Sequence, residues 1–114
     1  MGQDYNSLAF VDMDDALKRV GGNKGLYVKL LGRFVDGNHL EGLDGAIAGS
    51  NMEEASHLAH TLKGVSSNLS LMKVAAISTD LEQLFKSGGD YAALYEDLKV
   101  AYKATIEKIS EISA

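Results

Sequence analysis

Apolar residues recur at three- and four-residue spacing along this chain, in segments with marked ends, and that pattern points to packed helices. Tyr27, Leu30, Leu31 and Phe34 share one helical face. So do Val74, Ile77, Leu81, Leu84 and Phe85, and then Leu94, Leu98, Ala101, Tyr102, Ile109 and Ile112. The alternation of a half-buried strand never persists, and the turn dipeptides do not separate β-branched runs.

Capping chemistry sets the boundaries. The stretch "VDMDDALKRVGG" has acidic residues in its first turn and Gly21 and Gly22 as a stop. Asn23 caps a second segment, which Asp36 and Gly37 interrupt. Asn38 with Glu41, and Asn51 with Glu54, have the spacing of capping boxes, so helices restart at both points. The first of these ends near Gly49 and the second near Asn68. Ser70 caps the next, which stops at Gly88 and Gly89. Asp90 caps a last segment of roughly six turns. Short links make neighbours antiparallel. The expected fold is all-α, an antiparallel up-down four-helix bundle with an additional short N-terminal helix beside it. Residues 23–48 form one kinked or broken member.

The chain length of 114 residues fits one domain, 1–114, and 46% hydrophobic against 24% charged residues is a globular balance. There is no sequence repeat, linker or low-complexity tract. With no cysteine, a disulfide framework, a thiol nucleophile and a thiolate metal site are excluded, and a cytoplasmic location is expected. The opening residues lack a basic start followed by an apolar run, so no signal peptide is expected. Gly2 stands where a myristoylated glycine would, but Asn6 occupies the position that wants Ser or Thr. No apolar run is long enough to span a bilayer. A formal net charge of −5 argues against nucleic acid and anionic membrane as partners.

The stretch "AHTLKG" carries the chemistry. With residues 51–68 as a regular helix, Ala55, Leu58, Ala59, Leu62, Val65 and Leu69 fall within an arc of roughly 100°, the buried stripe of a bundle helix. His60 lies about 170° from the centre of that arc. Ser56, His57, Gly64 and Ser67 surround it, and Lys63 flanks it. His60 is therefore expected on the solvent face, with Ser56, His57 and Ser67 as candidate partner-binding residues.

Each of these residues also has a plain reading. An exposed histidine is most often only solvated, an exposed lysine usually snorkels, and one helical glycine among 12 can be drift. His39 is read as a polar residue near a helix start. Yet Gly64 costs about 1 kcal/mol relative to Ala in a helix, one turn beyond His60 and on its face. It clears space for another protein to approach the ring. Lys63, three residues on from His60, reaches a group attached to the imidazole and favours an anion there. A neutral imidazole is a nucleophile near pH 7 and accepts a phosphoryl group on a ring nitrogen. No Gly-rich phosphate loop accompanies it, so donor machinery must come from a partner.

The block "HLAHTLKGVSSNLSL" resembles the "aHxLKG" signature of histidine-containing phosphotransfer (HPt) domains. "DDALKRVGGNKGLYVKLLGRF" resembles the N-terminal block of that family, "AIAGSNMEEASHLAHTLKG" the approach to its active helix, and "STDLEQLFKSGG" the "LE" helix that follows. The resemblance covers about residues 8–110. It implies a four-helix bundle in a multistep phosphorelay, a phosphocarrier without kinase or phosphatase activity of its own. His60 would accept a phosphoryl group from a receiver-domain aspartyl phosphate and pass it to another receiver aspartate. Lys63 would assist the phosphoryl group and Gly64 would permit docking. The implied partners are response-regulator receivers and a hybrid sensor histidine kinase. The protein itself would be a monomer with no cofactor and no metal, Mg²⁺ belonging to the receiver. The family commonly has Gly ten residues after the histidine, where this chain has Ser70. Serine is a good N-cap, so the helix break survives while the turn geometry is open.

Two rivals compete. Glu54-x-x-His57 has the spacing used in di-iron bundles, but it is the only such pair and His57 is expected to point outward. A surface zinc on His57 and His60 is short of ligands. The other rival is a helical module that binds a receiver and is never phosphorylated.

Overall fold

A computed structural model describes residues 5–113, which contain six α-helices and no strand. They are α1 (Met13–Arg19), α2 (Lys24–Asp36), α3 (His39–Ala48), α4 (Met52–Asn68), α5 (Met72–Ser87) and α6 (Ala92–Ser113), preceded by a 3-10 turn at Tyr5–Ser7. The Gly2 reading lies outside the described residues.

Side-chain caps open three of the helices. Asp12 accepts from the Asp15 amide, Asn23 from the Leu26 amide and Asn51 from the Glu54 amide, so each occupies one of the four amides a helix start leaves unpaired. Asp90 Oδ1 accepts from the Ala92 amide at 3.2 Å and starts α6. After α5, Gly88 takes a left-handed φ of 75°, and the Gly89 amide turns back to the Leu84 carbonyl.

Two expected caps do not form. Asn38 is itself left-handed, with φ 45°, and makes no side-chain cap; its amide group donates to the Glu41 carboxylate instead. The reason is the sharp break between α2 and α3, which uses Asn38 as the corner residue. Ser70 is not the N-cap of α5 either. It adopts φ 60°, the conformation glycine takes most easily, and Leu71 holds the cap position. Its buried hydroxyl donates to Asp15 at 2.6 Å, and its carbonyl accepts from the Asp12 amide at 2.9 Å. Ser70 thus fastens the α4–α5 turn to the start of α1.

The helices then close around one core. α4 lies along α5, α3 packs on α4, α6 on α5, α2 on α6 and α1 on α2. Tyr27, Leu31, Leu43, Leu62, Leu71, Val74, Leu81 and Leu98 are essentially inaccessible to solvent. Burying each such aliphatic side chain is worth about 1.5–3 kcal/mol. Buried tyrosines tie the elements together. The Tyr27 hydroxyl donates to the Leu69 carbonyl at 2.6 Å, and burial with nearby Asp12 and Asp15 pushes that phenol up to about 12. The Tyr95 hydroxyl donates to Asp44, joining α6 to α3. The segment before α1 lies over α5: the Tyr5 hydroxyl donates to Asp80 and the Lys73 amide to the Ala9 carbonyl.

Candidate functional site

The site lies on the α4–α5 seam. α4 buries Ala55, Ser56, Ala59, Leu62 and Ser66. Small residues dominate that list, which lets the two helix backbones approach closely. The buried stripe is wider on the α5 side than apolar spacing alone implies. It takes in Ser56, which is 9% exposed and donates to the Glu53 carbonyl of its own helix. Ser56 therefore does not belong to the outward face expected from the sequence. A serine reads as polar in a helical wheel, yet its hydroxyl can be satisfied by the preceding turn and the residue then packs as a small side chain.

This shift also relocates His60. It sits on the shoulder of α4 beside α5, with its side chain 60% exposed, rather than at the back of the helix. Its Nδ1 lies 3.1 and 3.2 Å from the two carboxylate oxygens of Glu82 on α5. His60 and Glu82 stand equally far before and after Leu71, so they meet across an antiparallel hairpin. A carboxylate can only accept, so Nδ1 carries the proton in the neutral ring and Nε2 holds the lone pair. Among the described residues no partner engages Nε2.

Glu82 is the centre of the arrangement. It is only 5% exposed and faces three basic side chains. Lys86, one turn on along α5, places Nζ 2.9 Å from Oε2, and Lys63 places Nζ 3.7 Å from Oε1. The Lys86 ammonium, and then the His60 ring N–H, hold the Glu82 carboxyl below the usual carboxylate range, against the opposing pull of burial. A nearly buried carboxylate is thereby kept ionised, which burial alone would discourage.

The other expected residues fall as follows. Gly64 is exposed, and a Cβ built on it would meet nothing within 4 Å. No contact inside this chain therefore requires glycine there. His57 is exposed and Ser67 half-buried. His39 is more than a surface polar residue. It is half-buried, its ring lies 4.9 Å from Phe34 and 6.4 Å from Tyr102, and its Nε2 is buried without a hydrogen-bond partner. Burial pushes its imidazole below the ordinary value. Among the described residues no group of three or more His, Asp or Glu is placed to hold a metal ion, and no helix is long and apolar enough to cross a membrane.

Glu82 and Lys86 went unassigned in the sequence. A signal was there: Ser78, Leu81, Glu82 and Phe85 follow helical spacing, so Glu82 occupies a core position of α5. A carboxylate on an apolar stripe needs a cationic partner, and Lys86 at i+4 supplies one.

The site as built offers an oriented imidazole with one free nitrogen, two ammonium groups within reach and an unobstructed approach over Gly64. The family model described as "Hpt domain" matches residues 34–112, well over half of the chain. No curated protein and no solved structure gave a significant match.

Proposed function

Because this chain belongs to the Hpt domain family, phosphocarrier modules of histidine phosphorelays that interact with response-regulator receivers, we propose that His60 is the phosphoryl acceptor of a multistep relay. The observation that carries the residue assignment is the Glu82 contact at Nδ1, which leaves Nε2 as the nucleophilic nitrogen. In the forward step the Nε2 lone pair attacks phosphorus of a receiver aspartyl phosphate. An N–P bond forms, the acyl phosphate P–O bond breaks, and the aspartate carboxylate leaves with the electron pair. The ring becomes cationic while Nδ1 keeps its proton, and that charge develops beside Glu82, where a fixed carboxylate stabilises it. Lys63 turns toward the phosphoryl oxygens. Attack by a second receiver aspartate runs the same step in reverse.

The receiver supplies Mg²⁺ and its aspartate; this chain supplies nucleophile and docking face and has no kinase or phosphatase activity of its own. The docking face includes Gly64 with His57 and Ser67. We read residues 1–114 as one domain in which α2 and α3 serve as one broken member of a four-helix up-down bundle, with α1 as the extra helix. The working form is a cytoplasmic monomer fed by a hybrid sensor histidine kinase.

Phosphorylated receiver, with nucleotide removed, is expected to label this protein on an acid-labile, base-stable linkage, and His60→Gln is expected to reduce labelling to background. Equal labelling of His60→Gln would overturn the assignment. Receiver binding with no labelling of the parent would instead fit a docking module without chemistry.

A further inference from the structure

The clearing at Gly64 has a direction. On a helix turning about 100° per residue, Lys63 lies about 60° from His60 on the α5 side, and Gly64 about 40° away on the other. Asn68, one turn beyond Gly64, lies about 80° round on that same side. The bulk of a partner seated at His60 therefore passes over Gly64 and away from α5. On that flank a groove of about 450 Å³ runs between α2 and the last turns of α4. Leu30 and Phe34 of α2 and Val65 and Leu69 of α4 line it, and the exposed residues Arg33 and Asn68 stand at it. Among the described residues neither the Arg33 guanidinium nor the Asn68 amide has a hydrogen-bond or ion-pair partner. Asn68 is about 12 Å along the helix from His60. That distance falls inside a footprint of about 800 Å² centred on the ring, the area one partner of a stable complex covers.

The chemistry of the groove selects its occupant. The chain carries a formal net charge of −5, yet α2 holds Lys24, Lys29 and Arg33 against Asp36 alone, so this flank is basic on an acidic molecule. A guanidinium only donates, and its planar fork matches a carboxylate. The Asn68 amide adds donors beside it, and the aliphatic and aromatic lining takes an apolar side chain. We propose that the α2–α4 groove is a second contact for the receiver that docks at His60: Arg33 pairs with a carboxylate side chain of the receiver, and an apolar receiver side chain next to it lies on Leu30 and Val65. Arg33 is then a specificity-determining residue, favouring receivers with an acidic residue at that place, and it touches neither the imidazole nor phosphorus. Placing the receiver at His60 rests on the phosphotransfer reading; the groove and its charge owe nothing to α5, Glu82 or the ring.

The test uses the receiver domain that binds the parent most tightly, unphosphorylated, with affinity measured by titration calorimetry. Arg33→Glu is expected to weaken binding by about tenfold or more, since it sets like charges against each other. Arg33→Lys keeps the charge but loses the fork, so its loss is expected to be smaller, about threefold. Leu30→Gln is expected to weaken binding by about threefold through the apolar contact. Val100→Gln is the control, on an α6 side chain that is 70% exposed and outside the groove, and is expected to bind as the parent. In labelling by phosphorylated receiver, Arg33→Glu is expected to raise the half-saturating receiver concentration and leave the maximal rate unchanged. Phosphoramidate, a small donor that needs no docking, is expected to label His60 equally in the parent and in Arg33→Glu.

Unchanged receiver affinity in Arg33→Glu overturns the proposal. So does an equal loss in Val100→Gln, which would mean that the effect is not confined to the groove. A matching loss of phosphoramidate labelling in Arg33→Glu overturns it as well, by moving the effect from docking to the ring. If the parent binds a receiver through Arg33 but accepts no label, the phosphotransfer reading fails and the groove stands. If the parent is labelled and Arg33 is indifferent, the groove fails and phosphotransfer stands. If no receiver binds the parent, both fall.

Discussion

Gly64 shows what a single residue can reveal when its own surroundings give it no reason to be there. Helical glycine is unfavourable by about 1 kcal/mol relative to Ala. Nothing within 4 Å of a Cβ would resist one. Gly64→Ala is therefore expected to raise the stability of the isolated protein by about 0.5–1 kcal/mol in denaturant unfolding. Gly64→Gln should keep the fold and slow receiver-dependent labelling tenfold or more. A destabilised Gly64→Ala, or unimpaired transfer in Gly64→Gln, would remove docking clearance as the explanation. The exposed positions of His60 and Gly64, with Lys63 beside them, were legible in the sequence because they follow from spacing along one helix. Glu82 and Lys86 were not, because a helical wheel of α4 says nothing about which residue of α5 stands opposite. The same limit misplaced Ser56, whose burial depends on how closely the neighbouring helix approaches.

At the level of elements, the starts and stops of most helices could be read directly, since capping is local chemistry. Asn23 and Asn51 cap as their sequences imply, and Asp12, read only within an acidic first turn, caps α1. The failures lie at Asn38 and Ser70, where tertiary geometry demands a left-handed residue and overrides the local preference. Ser70 holds a conformation that disfavours any Cβ, and it is retained there by its bonds to α1. Ser70→Ala keeps the strain and loses the hydroxyl; Ser70→Gly loses the hydroxyl and relieves the strain. Both are expected to be less stable than an unstrained, fully bonded turn would be, with the glycine variant the more stable of the two by about 1 kcal/mol. Equilibrium unfolding of the pair measures that difference directly. An alanine variant as stable as the glycine variant would show that the backbone at this turn relaxes out of the left-handed region.

At the scale of the whole bundle, His39 is one source of pH-dependent stability. Its ring lies where α2, α3 and α6 meet, against Phe34 and Tyr102, with Nε2 unpartnered. Gly37 allows this packing, since a Cβ there would lie 2.9 Å from Nε2. Burial lowers the affinity of the folded state for the His39 proton below the ordinary value of 6.5, so the unfolded chain binds that proton more readily. The corresponding stability is fully present above about pH 6.5 and is lost as pH falls toward the folded-state value. His39→Phe fills the same space without a titrating group. Its melting temperature is expected to fall less than that of the parent between pH 7.5 and pH 5, and parallel curves would acquit His39.

The ties made by Tyr27, Asp12 and Asp15 have a consequence for where this domain begins as a folding unit. All three residues precede residue 34, at which the family match starts, yet they hold Leu69 and Ser70 at the closed end of the α4–α5 hairpin. A fragment cut at residue 34 would expose a carbonyl and a hydroxyl whose partners had been removed, at the corner that sets how the two helices of the site lie together. The contacts that brace the hairpin carrying His60 and Glu82 therefore reach beyond the stretch that marks the family.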